Sequence, residues 1–96
     1  MSKVELMAAG QIRVEGDLLF STVVPIREQL VRLLRDQAGE VKVDFSAVGR
    51  VDSSALSLWL CCERQAKQQG LKLNAQAVPQ DLMSIARLVG FETDLH

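Results

Sequence analysis

The order of residues from Val41 to Leu60 constrains this chain more than any other stretch. A β-branched, apolar run (Val41, Val43, Phe45) gives way to a polar turn. Asp52, Ser53 and Ser54 then stand directly ahead of an apolar helical pattern. A strand, a turn and a buried helix in that order place two hydroxyls at the exposed N-terminus of the helix. Unpaired N–H groups and the positive end of the helix dipole converge there. Such a position suits either a simple cap or a switch that accepts a phosphate or a partner's side chain.

The rest of the chain falls into alternating patterns around that unit. Lys3 to Met7 and Gln11 to Glu15 read as a β-hairpin or meander; Ile12 and Val14 alternate with Gln11, Arg13 and Glu15, and Gly16-Asp17 is expected to end it. From about Thr22 the period becomes helical. Val23, Ile26, Leu30, Leu33 and Leu34 share one stripe, and Pro25 sits in the first turn, where its missing N–H does no harm. Gly39 supplies a stop. The strand Val41 to Phe45 reads as near-continuously apolar, which predicts a central strand covered on both faces. A second helix is predicted from Ser53 to Gln69, with Gly70 as its C-terminal glycine. A strand from Leu71 to Ala77 follows. A last helix starting near Pro79 stacks Leu82, Ile85, Ala86 and Val89, closed by Gly90. The order is β-β-α-β-α-β-α, an α/β chain with a mixed central sheet, parallel neighbours, right-handed crossovers and helices packed against the sheet. The tail Phe91 to His96 is open to three placements: a short strand, a wrap onto a partner, or a loose end.

Composition excludes several classes of function. The 96 residues suffice for one core, so a single domain over 1–96 is expected. Hydrophobic residues make up 48% and charged residues 24%, which argues against disorder. With a net charge of −1 and no basic run along the sequence, a nucleic-acid footprint is not expected. No apolar run approaches the roughly 20 residues that span a bilayer, and the N-terminus lacks the apolar stretch of a secretory signal. A cytoplasmic location without direct membrane insertion is expected.

The residues of classical chemistry are sparse. The only histidine is His96, so no base is placed beside a nucleophile. Cys61 and Cys62 are neighbours pointing about 100° apart on a helix, poorly placed to bond each other and too few for zinc. They read as small packing residues. The glycines form no phosphate-binding loop. Neither a metal, a cofactor nor an enzymatic activity is expected. Asp44 reads as a turn former and Asp52 as a helix cap; capping is also the plain reading of Ser53 and Ser54. The second helix is more telling. Ala55, Leu56, Trp59, Leu60, Cys62 and Ala66 form an inward arc, while Leu58 and Cys61 fall outside it beside Ser54, Ser57 and Arg64. A helix apolar most of the way round buries two sides, one against the sheet and the other against a partner; scattered surface apolar residues are the bland alternative. Trp59 reads as core filler in preference to an interface anchor.

Asp44-Phe45-Ser46 followed by Val51-Asp52-Ser53-Ser54-Ala55-Leu56 resembles the signature of STAS domains, which include anti-sigma-factor antagonists and cytoplasmic domains of some anion transporters. The element order and Gly16-Asp17-Leu18 fit as well, so the resemblance spans nearly the whole chain. Within the family, Val51-Asp52-Ser53, the stretch Ala66 to Gly70 and the ending after the third helix are similar to the small free-standing STAS subunits of Mla-type phospholipid ABC transporters. That resemblance implies a non-catalytic subunit that docks on the transporter's cytoplasmic ATPase subunit, in a complex with a permease and a periplasmic lipid-binding subunit. Such a complex moves phospholipid between the two membranes of a Gram-negative cell. The activity-linked hydroxyl of those subunits maps to Ser53. In the antagonists, the phosphorylated hydroxyl maps to Ser54. Two departures stand out: Ala55 replaces a frequent glycine, and Leu19 stands where many family members carry a second acidic residue. The second weakens the case for phosphoryl chemistry on Ser54 or Ser53 and favours an apolar docking surface. The expected contact therefore has Asp52, Ser53 and Ser54 at its polar centre, surrounded by Leu19, Phe20, Ser57 and Leu58.

Overall fold

The structure is a computed structural model that describes residues 2–88. Its elements follow the expected order: β1 (Lys3–Ala8), β2 (Gln11–Leu18), α1 (Val23–Arg35), β3 (Glu40–Val51), α2 (Ser53–Gln69), β4 (Lys72–Gln76) and α3 (Gln80–Leu88). The strands form one mixed sheet in the order β1-β2-β3-β4, with β1 antiparallel to β2 and the remaining pairs parallel. Val89, Gly90 and the tail 91–96 lie outside the described residues.

Two successive parallel steps, β2 to β3 and β3 to β4, run in the same direction across the sheet. Right-handed crossovers then put α1 and α2 on the same face. One cluster of buried side chains accordingly joins Ile12, Val14, Val41, Val43 and Phe45 from the sheet to Ile26, Leu30 and Leu34 of α1, Leu56, Trp59 and Cys62 of α2, and Leu82 and Ala86 of α3. The expectation of a doubly covered β3 is corrected here. The strand is interior in the sheet, but Lys42 and Asp44, between the buried Val41, Val43 and Phe45, are only half-buried on the open face. That face is stitched by charges, with Lys3 Nζ 2.8 Å from Glu5 Oε1 and Arg13 Nη2 2.9 Å from Glu15 Oε1.

Strand lengths differ from the sequence reading for a tertiary reason. β2 continues through Gly16 and Asp17 to Leu18, and β3 continues through the supposed turn to Val51. The two extend together: Glu15 pairs with Ala47, Gly16 with Val48 and Leu18 with Val51, with register shifts that mark bulges. Gly16, at φ +90°, supplies the irregular backbone of a bulge and does not terminate the strand. Asp17 Oδ1 accepts the Arg50 N–H at 2.8 Å, fastening the extension from the side.

The second helix forms where its ends dictate. Asp52 is its N-cap, and Gly70, at φ +74° and ψ +24°, turns the chain in the left-handed region while its N–H bonds back to Ala66 and Lys67 carbonyls. Trp59 is core, its ring edge-on to Phe45 with centroids 5.5 Å apart, a geometry worth about 1 kcal/mol beyond the area it buries. Cys62 is fully buried beside it, and burial pushes its thiol up to about 12; Cys61 is half-buried, and both are free thiols. Leu58 falls outside the arc that the sequence assigned to the core, yet it is 2% exposed. The correction follows from the layer geometry: α1 packs along that flank of α2, so α2 has two covered sides within this chain.

Candidate functional site

Two connections meet at the carboxyl ends of β2 and β3. The β2–α1 turn is self-supporting: Thr22 Oγ1 accepts the Leu19 N–H at 3.0 Å and donates to the Asp17 carbonyl at 2.7 Å, while the Thr22 and Val23 N–H groups both reach the Leu19 carbonyl. This tight turn leaves Phe20 at its apex, 84% exposed, with Leu19 half-buried below it. Exposing a phenylalanine ring to that extent keeps its apolar area in water, a cost removed only when something covers it.

The β3–α2 connection is tied to that turn by one side chain. Asp52 Oδ1 accepts the Ser54 N–H at 2.8 Å, which is the cap of α2, and Asp52 Oδ2 accepts the Phe20 N–H at 3.0 Å. The Asp52 N–H in turn donates to the Leu18 carbonyl at 3.2 Å. The Phe20 and Ser54 N–H groups hold the Asp52 carboxyl below the usual carboxylate range, so the cap carries a fixed negative charge at neutral pH. Asp52, then, is the cap, and neither serine serves as one. Ser53 is exposed on the first turn of α2, Ser54 is half-buried, and the Ser57 hydroxyl donates to the Ser53 carbonyl at 3.4 Å.

Beside this tip lies a depression of about 360 Å³ between α1 and α2, lined by Phe20, Val24, Arg27, Ser54, Ser57 and Cys61 among others, with Leu58 in its floor. The structure therefore brings Asp52, Ser53, Ser54, Ser57, Leu19 and Phe20 to one end of the domain. Leu58 supports that surface from beneath and is not part of its exposed rim. Sequence reasoning missed Val24, which is 48% exposed, and Arg27. Val24 lies in the first turn of α1, beside the same depression as Phe20 and off the buried stripe of the helix, and an apolar residue out of phase was the available signal. Among the described residues, no three His, Cys, Asp or Glu side chains come together to hold a metal ion, and no helix is long and apolar enough to cross a membrane.

An α/β scaffold, a carboxylate that fastens two loops, and an exposed aromatic beside a hydroxyl-bearing helix end thus meet at one end of the domain. The sequence profile of the MlaB STAS-domain family matches residues 2–96, and the chain belongs to the STAS-domain family. Among solved structures, it is similar to the anti-sigma-factor antagonist SpoIIAA in its unphosphorylated form, with a TM-score of 0.69 and 14% identity over 92% of this chain and 83% of that one. That likeness shows a shared fold. Among curated proteins, nothing matches the chain.

Proposed function

We propose that this chain is the accessory STAS subunit of an Mla-type phospholipid ABC transporter, seated on the transporter's cytoplasmic ATPase subunit through the Asp52–Ser54 tip and Phe20. The observation that carries the reading is the match of residues 2–96 to the MlaB STAS-domain family. The exposed Phe20 at the Asp52-capped end of α2 supports it, because together with Ser54 and Ser57 in the shared depression it supplies an apolar anchor beside polar groups. In this role the chain performs no chemistry. It promotes assembly and ATP turnover in a complex with a permease and a periplasmic lipid-binding subunit, and so maintains outer-membrane lipid asymmetry. It resides at the inner membrane's cytoplasmic side through its partner alone.

Ser53→Asp tests the reading cleanly. An acidic residue on the first turn of α2 is favourable for the helix dipole, so the variant folds. In the interface it adds a second charge beside ionised Asp52, and burial of that charge weakens the complex by about tenfold or more. Full-yield co-purification of the variant with its transporter and unchanged ATP turnover would refute the site. A second reading, an anti-sigma-factor antagonist cycling through phosphate on Ser54, has in its favour that Ser54 lies in the first turn of α2. Asp52 already occupies the Ser54 N–H and would repel a phosphate dianion. Intact-mass spectra of the native protein that show a phosphate increment would favour this reading over the first.

A further inference from the structure

Cations on two surfaces of the domain are treated differently. On the open face of the sheet, Lys3 and Arg13 meet the carboxylates of Glu5 and Glu15. On the outer face of α1, Arg27, Arg32 and Arg35 are exposed, and among the described residues none of them forms an ion pair. With Val24 and Val31 they make one continuous helical face, since positions 24, 27, 31 and 35 fall on a single stripe. The last-turn arginines suit the negative end of the α1 dipole, but Arg27 lies two turns earlier and gains nothing from it. A second depression, of about 260 Å³, runs among Arg27, Val31, Arg32 and Arg35, with Glu28 as the sole carboxylate in its lining. Arg27 borders both this depression and the one beside Phe20, so the two form one surface from the tip of α2 along α1.

The geometry points to a binding face for an acidic amphipathic segment of the ATPase subunit, laid along α1 from Phe20 to Arg35. This rests on the proposed function and extends its contact beyond the tip. Charge complementarity chooses the occupant: every basic residue of α1 is an arginine, and the guanidinium fork matches carboxylates two bonds at a time. Val24 and Val31 supply apolar footing between the arginines, and the concave lining suits side chains of a polypeptide better than a flat lipid surface.

The test measures affinity of the purified ATPase subunit for the wild-type chain and for R27A/R32A/R35A, at low and at high salt. Wild-type binding weakens as salt rises; the triple variant binds about tenfold more weakly at low salt and loses most of that salt dependence. Its melting temperature stays within a few degrees of wild type, because all three side chains are exposed. Equal affinity and equal salt dependence for both chains would overturn the α1 face while leaving the transporter reading intact. Failure of the wild type to bind the ATPase at all would overturn both. If phosphatidylglycerol vesicles bind the wild type and not the triple variant, while ATPase binding is unchanged, the face belongs to lipid and the proposal falls.

Discussion

Leu58 and Phe20 lie on opposite sides of one surface, and truncating each tests the division of labour between them. Leu58→Ala deletes three buried carbons, worth about 2.4 kcal/mol in transfer free energy at about 0.8 per carbon. A cavity term adds to this, but the depression above Leu58 lets neighbours and water relax into part of the space, so the total comes to about 3 kcal/mol. In a domain of this size each kcal/mol moves the melting temperature by about 4–8 °C, so Leu58→Ala melts about 15 °C lower. Phe20 is 84% exposed. Its truncation changes stability by no more than about 0.5 kcal/mol, a shift of about 3 °C, yet weakens ATPase binding by about tenfold. Thermal melts followed by circular dichroism, paired with binding measurements on the same samples, read both effects. A Leu58→Ala protein melting within about 5 °C of wild type would refute the placement of Leu58 beneath α1. A Phe20→Ala protein that binds normally would remove Phe20 from the interface.

The Asp52 carboxyl titrates below its ordinary value of 3.8 in the folded chain, so its contribution to stability is complete above that value and is lost as pH falls through the lower folded one. Asp52→Asn flattens this part of the acid limb in urea unfolding, and an unchanged limb would contradict the twin N–H bonds. Gly10 and Gly39 share a left-handed backbone, φ +74° and +75°, but a Cβ at Gly10 would stand 2.8 Å from the Glu40 carbonyl oxygen while one at Gly39 meets nothing within 4 Å. Gly39→Ala therefore costs only the conformational term, about 1 kcal/mol, and Gly10→Ala more; equal losses in chemical denaturation would show that the clash is relieved without cost.

What the sequence revealed and what it hid divide along local and tertiary lines. Helix α2 was legible end to end because Asp52 and Gly70 act on their own neighbours, and the alternation of Val41, Val43 and Phe45 marked β3 without help. The final reach of β3 to Val51 was not legible, since Ser46, Gly49 and Arg50 are strand-forming only beside β2 and Asp17. The second apolar flank of α2 was visible in Leu58, but whether a partner or α1 covers it depends on crossover handedness and helix packing. The same packing unites Phe20, Val24 and Arg27 with Ser54 and Ser57, and no spacing in the chain announces that union. The polar tip was readable from Asp52-Ser53-Ser54 alone; the second bond of Asp52, to a residue 32 positions away, was not.

That shared carboxylate has an evolutionary consequence. Because a turn and a helix both lean on Asp52, a replacement must suit two backbones at once, and asparagine offers only one oxygen for two donors. Drift at this position is therefore held by a double constraint, whereas Ser53, which no other segment of the described chain grips, meets no such constraint from the fold.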